Sequence, residues 1–589
     1  MKLEILRRAA SALLPLVGLL AACGGGGGDS TTPPANPPPL VVEKPGTRAE
    51  ASRFLTQATF GPTDADIDRV TAIGYAAWID EQLALPSTSH RSYFEARDAE
   101  FKAANATSSA GQDQVFETFW KQALTGPDQL RQRTVFALSQ IFVISMVDGT
   151  VAENPRAVAA WLDMLGDKGL GTYRELLEAV SRHPMMGVYL SHLRNQKADA
   201  RTGRVPDENY AREVMQLFSI GLVELNEDGS ARTAASKPID TYTPADISGL
   251  ARVFTGWSWA CPDWPDNNCF FSGSNNGNSD PNRSFAAMQG YPQYHSGEEK
   301  RFLGATIATQ AQSDPAASLR VALDTLASHP NVGPFIGRQL IQRLVTSNPS
   351  PTYVRDVART FANNGAGVRG DLKALVKAVL MHPEARLVSN TSGKVREPVL
   401  RLSAFMRAFP HSSDTGNFKV GNTENPGTSL GQTPMRSPSV FNFYRPGYVN
   451  PGGAAAAASL VTPEMQIANE TSAAGYVNHM RDNIASGVGQ FNATVGGVTR
   501  NRRDLQADYS AELAVAADAA ALMDRVLGKL TYGNTSALRT EIIDAVGRIV
   551  IPVLTANGSN QSSVDSAKRA RVNAALLLVV AAPEFQVQQ

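Results

Sequence analysis

The chain has 589 residues, 43% of them hydrophobic, which is ample for a large globular core. Its 55 basic and 55 acidic residues cancel, so the sequence carries no electrostatic footprint for nucleic acid. Beyond the N-terminal segment, no apolar run reaches membrane-spanning length.

The chain opens with Lys2, Arg7 and Arg8, followed by an apolar run from Ala9 to Leu20 that is too short for a permanent span. That pattern predicts a secretory signal over residues 1–22. Leu20-Ala21-Ala22-Cys23 resembles the lipobox of bacterial lipoproteins. The resemblance implies that Cys23 becomes the first mature residue and carries a lipid that ties the protein to a membrane. The alternative is an ordinary signal peptide with a chance cysteine. Residue 24 is Gly rather than Asp, so nothing argues for retention in the inner membrane. The expected location is the cell envelope, at the outer membrane. Residues 23–46 are rich in glycine and proline and read as a flexible, extended tether. The large body is expected over 47–589.

Helical signals dominate that body. Thr63 stands three residues before Asp66 at a capping-box spacing, and Gly74 closes the helix. Thr243, Pro244 and Asp246 repeat the device. Long apolar-periodic stretches follow, and the one clear hairpin signal is Asp228-Gly229 in "LVELNEDGSAR". The predicted class is mainly α, with at most one or two small hairpins. Two irregular regions interrupt it, 258–302 and 410–460, and the second is a candidate break between two lobes. "GTYRELLEAVSRHP" (171–184) and "GDLKALVKAVLMHP" (370–383) share residues at equal offsets, and "ALDTLASHP" echoes their end. His183, His329 and His382 are read as helix-end residues facing the negative helix terminus. "GAGVRG" (365–370) matches a nucleotide-loop pattern but follows a helical segment, so it is read as a turn. No zinc-protease helix or Walker loop occurs, and no metal or cofactor is expected. Cys261 and Cys269, eight residues apart in a Pro/Asn-rich loop, read as a disulfide in an exported protein, with a pair of metal ligands as the rival.

The stretch "PDENYAREVMQLFSIGL" (206–222) is the densest in chemistry. With Asp207 as N-cap and Gly221 closing, a helix from Glu208 to Ile220 is predicted. Its apolar face is Tyr210, Val214, Leu217 and Phe218, and its polar stripe is Asn209, Arg212, Glu213 and Gln216. Glu208 precedes Arg212 by four residues, the favourable order for an ion pair. Nearby, Trp257, Trp259 and Trp264 are half of all the tryptophans, and such rings stack on sugars when exposed. His295 lies among Glu298, Glu299 and Lys300.

"FLTQATFGPTDADI" (54–67), the 206–222 stretch, "YTPADISGLARVFTGW" (242–257), "HSGEEKRFLG" (295–304), "SPSVFNFYRPGY" (437–448) and the closing "APEFQ" occur together in this order. Over nearly the whole mature body, the chain resembles the bacterial domain of unknown function 1800 family. The resemblance implies a secreted or envelope-associated protein. It also implies a neighbour of the domain of unknown function 1501 family, which resembles secreted sulfatases or phosphatases. It implies no established reaction. The family usually has Asn where this chain has Asp207.

Two functions are therefore expected in competition. One is an enzyme acting on extracellular polysaccharide. A hydrolase would use Glu208 or Glu213 with a loop acid. A lyase would use Arg212 and Asn209 to neutralise a uronate, with Tyr210 or His295 as base. The tryptophans would grip the sugar. The other is a non-catalytic scaffold or export partner for the sulfatase-like protein.

Overall fold

The computed structural model describes residues 44–389, 392–532 and 538–589. The signal, Cys23 and nearly all of the tether lie outside the described residues. Helix starts follow their capping residues. Thr63 and Thr243 accept from the backbone N–H groups of Asp66 and Asp246, and Thr172 forms a capping box with Glu175. Capping of this kind is worth about 1 kcal/mol per helix. Among the described residues, 25 α-helices stand against strands that pair only in twos and threes, so the protein is mainly α. The one three-stranded sheet joins His411–Ser413, Arg503–Ala507 and Val488–Phe491. The Asp228-Gly229 turn closes a single bridge, Leu225 to Ala231, rather than a ladder.

One hydrophobic core runs from Ala51 to Phe585. The described residues from 44 onward form one compact body, and the irregular 410–460 stretch is woven into it rather than parting two lobes. Met146 N–H donates to Met435 O at 2.8 Å, and Gln432 and Thr433 are fully buried. No described helix is long and apolar enough to cross a membrane.

The two similar stretches meet. Tyr173 N–H donates to Gly370 O at 2.7 Å, and Leu372 N–H donates to Gly171 O at 2.9 Å. This reciprocal pair brackets a bridge between Thr172 and Asp371 and sets helices Tyr173–Arg182 and Leu372–Met381 going from one point. Each helix ends at a His-Pro step. His183 and His382 accept, through Nδ1, the N–H of the residue two further on, at 3.2 Å, and His329 does the same for Asn331. The three histidines are helix-end residues, but the physical reason differs from the one expected. Each caps the next turn as a neutral acceptor, and burial pushes each imidazole below its usual range, His183 to about 3. The "GAGVRG" segment is a turn between helices Pro351–Ala362 and Leu372–Met381, with Gly365, Gly367 and Gly370 at φ between 73° and 91°. Side-chain oxygens of Asn363 and Asn364 take its free N–H groups.

Candidate functional site

The helix of the charged stretch runs over Asn209–Gln216, shorter than predicted. Beyond it the chain turns on Gly221, at φ 73°, whose N–H reaches back to Met215 O. Glu208 rather than Asp207 holds the N-cap position, without a side-chain cap, while the Asp207 carboxylate accepts the Asn209 N–H at 2.8 Å. Glu208 and Arg212 approach to 3.6 Å, with both side chains more than two-fifths exposed. Ser248 Oγ also donates to Glu208. Such an exposed pair contributes about 0.3–0.5 kcal/mol. Asn209 is exposed beside Ser191. Glu213 is buried, and its Oε2 has no partner among the described residues. Burial pushes its carboxyl above the usual range, against the pull of Arg212.

The two expected proton carriers are framework instead. Tyr210 is completely buried, donates its O–H to Ser181 Oγ at 2.7 Å and stacks on His192 at 3.8 Å. His295 is completely buried too, with Nδ1 2.8 Å from Thr255 O and Nε2 3.0 Å from Ser318 Oγ. Burial pushes that imidazole down to about 4. Neither side chain has access to a substrate. An apolar helix face and a buried loop placed them there, which residue type alone does not reveal.

The tryptophans divide. Trp259 packs against the core. Trp257, only 4% exposed, belongs to the core and borders an open cleft of about 690 Å³ that Trp264 also lines. Trp264 is 47% exposed, and its Nε1–H is held by Gly290 O at 2.9 Å. The loop that presents it is closed by the Cys261–Cys269 disulfide, whose Cα atoms are 5.9 Å apart and whose sulfurs pack with Phe270 and Tyr291. Gln289 accepts the Cys261 N–H at 2.9 Å and lines the cleft as well.

One wall of the cleft is helix Tyr173–Arg182, where Arg174, Glu178 and Arg182 stand at successive turns. Arg174 bonds Glu178 at 2.8 Å and Asp324 at 2.7 Å, and Arg182 meets Glu178 at 3.3 Å. Partial burial pushes the Glu178 carboxyl up. Hydrogen bonds from Arg174 and then Arg182 outweigh it and hold the group below the usual range. The Arg182 guanidinium also lies over the Trp257 ring at 5.6 Å. The facing wall is helix Pro315–Ser328, capped by Asp314, with Arg320 exposed and without an ion-pair partner among the described residues. Sequence reasoning found the tryptophans but missed the arginines. Their spacing of four residues was visible, but it reads equally as an ordinary solvated helix face.

This cleft can stack a ring, bond hydroxyls through Gln289 and Asp314, and meet an anionic group with Arg320. It has no free general acid, because Glu178 is held ionised between two guanidinium groups. Among the described residues no cluster of three or more His, Cys, Asp or Glu is placed to hold a metal.

Fold and cleft thus define a mainly helical protein with an aromatic, arginine-lined groove. The family model described as "Protein of unknown function (DUF1800)" matches residues 53–587, and the chain belongs to that family. Comparison with curated proteins and with solved structures returns no match.

Proposed function

We propose that this chain is an envelope protein, lipid-anchored through Cys23, that recognises an acidic extracellular polysaccharide in the Trp264 cleft. The observation that carries this reading is the half-exposed Trp264 ring standing in one cleft with Arg174, Arg182 and Arg320. An aromatic face takes a sugar ring, and a guanidinium takes its carboxylate or sulfate in a planar fork. Hydrolysis or elimination would need a free carboxylate or base beside the sugar, and the carboxylates of the cleft are engaged in ion pairs or in a cap. Recognition is therefore favoured over catalysis. It also agrees with the role of partner to a sulfatase-like protein of the domain of unknown function 1501 family, whose substrate would be an anionic glycan.

The test is migration of the purified protein through native gels containing polygalacturonate. The wild type is expected to be retarded, and Trp264→Ala to run as in a plain gel with an unchanged melting midpoint, since the ring is half exposed. Equal retardation of the two proteins would refute the assignment.

A further inference from the structure

A second cavity, of about 290 Å³, lies where two distant stretches meet. Gln216 and Leu217, at the end of helix Asn209–Gln216, form one side, and residues between Val440 and Pro446 form another. These belong to two of the segments that carry the family resemblance. The cavity shares no lining residue with the Trp264 cleft.

Ile141, Leu217, Leu222, Phe335 and Val440 give it an apolar lining. Gln140, Gln339 and Arg343 line it too, each more than nine-tenths buried. Their hydrogen bonding is incomplete: Gln140 Oε1, Gln339 Nε2 and Arg343 Nε have no partner among the described residues. Buried polar groups left unbonded are costly, so two donors, Gln339 Nε2 and Arg343 Nε, and one acceptor, Gln140 Oε1, at one cavity call for an occupant.

The charge around Arg343 is lopsided. Behind Arg343 lies Arg133, wholly buried, donating to Arg343 O at 2.5 Å with Nε and one terminal nitrogen unpartnered. Lys394 is paired with Glu464 at 2.9 Å. The two guanidinium groups are left with Glu397, one of whose oxygens is taken by the Gln140 and Gln432 amides, each at 2.6 Å. Arg445, in the same lining, is exposed, stacks on Phe441 at 4.6 Å and has no ion-pair partner among the described residues. We propose that this cavity binds a small organic anion, an apolar body bearing one carboxylate, with the anion held between Arg343 and Arg445 and the body against Leu217 and Phe335. A volume near 300 Å³ is the small end of the ligand-pocket range and suits a molecule of that size.

The probe is octanoate, titrated calorimetrically into the purified protein beside octanol and octylammonium. Octanoate is expected to bind at least about tenfold more tightly than octanol, a difference of ~1.4 kcal/mol, and octylammonium not to bind. Arg445→Ala, a change at an exposed position, should weaken octanoate at least about tenfold and leave the melting midpoint in place. Gln339→Leu should weaken octanoate more than octanol. Equal binding of octanoate and octanol, no octanoate binding at all, or full affinity in Arg445→Ala would each overturn the proposal.

Discussion

Glu208, at the N-cap, and Glu213, within the short helix that follows, sit five residues apart, yet their surroundings assign them opposite energetics. Glu208 is in an exposed pair, so Glu208→Gln should change stability by no more than about 0.5 kcal/mol. Glu213 is buried with an unpartnered oxygen, and its folded-state carboxyl is raised above the unfolded value. Its protonated form favours the fold at low pH, and that contribution is lost as pH rises through the folded value. Glu213→Gln should therefore match or exceed the wild type, with the larger gain at pH 8 than at pH 5. Thermal midpoints at matched scan rates would check both, and a marked loss for Glu213→Gln would refute this reading. The Lys394–Glu464 pair behaves differently again, because both side chains are essentially sealed. Lys394→Met strands a buried carboxylate and should cost about 3–5 kcal/mol in equilibrium unfolding. A cost under 1 kcal/mol would show that the pair is not desolvated as described. At this scale the sequence was legible only where chemistry is local. The eight-residue spacing of Cys261 and Cys269 was enough to suggest their bond. Tyr210 and His295 looked reactive because nothing in their neighbours says that Ser181 and Ser318 will seal them in.

Among the elements, caps were the most legible feature, because a Thr three residues before an acid carries its reason within four positions. Where helices pack, the reason is long-range. Gly249 lies within helix Pro244–Val253, where alanine would ordinarily gain about 1 kcal/mol. A Cβ there would lie 1.8 Å from Arg301 O, on the strand packed against it. Overpacking of that kind costs about 1–3 kcal/mol and outweighs the propensity. Gly249→Ala should thus lower the melting midpoint, and a rise would mean that the strand is free to move away. The same limit hid the cleft. Arg174, Glu178 and Arg182 form a legible stripe, but only the packing of helix Pro315–Ser328 and the 257–290 loop around it makes that stripe a wall.

For the whole molecule, the mainly α class was legible because helical periodicity is repeated so often along the chain. The arrangement of the described helices around one core was not, since it rests on contacts hundreds of residues apart. One global property follows from that burial. Burial lowers all eight histidines, His183 to about 3 and His192, His295, His411 and His479 to about 4. Each folded value lies below that of the unfolded chain. Stability held by the neutral rings is complete above about pH 6.5 and is lost as pH falls toward the folded values. Asp167, Glu213 and Glu464, raised by burial, act in the opposite sense but are three against eight. The melting midpoint should fall steeply below about pH 6.5, and an unchanged midpoint at pH 5 would show that the rings are not sealed.

The central claim, an anionic glycan held on Trp264 and Arg320, is tested most directly by calorimetric titration with a defined oligogalacturonate and its carboxyl-reduced, uncharged counterpart. The account predicts binding of the acidic oligomer and at least about tenfold weaker binding of the neutral one. That preference should disappear in Arg320→Ala, and both should fail to bind Trp264→Ala. Equal affinity for the two oligomers, or full binding by Trp264→Ala, would contradict it.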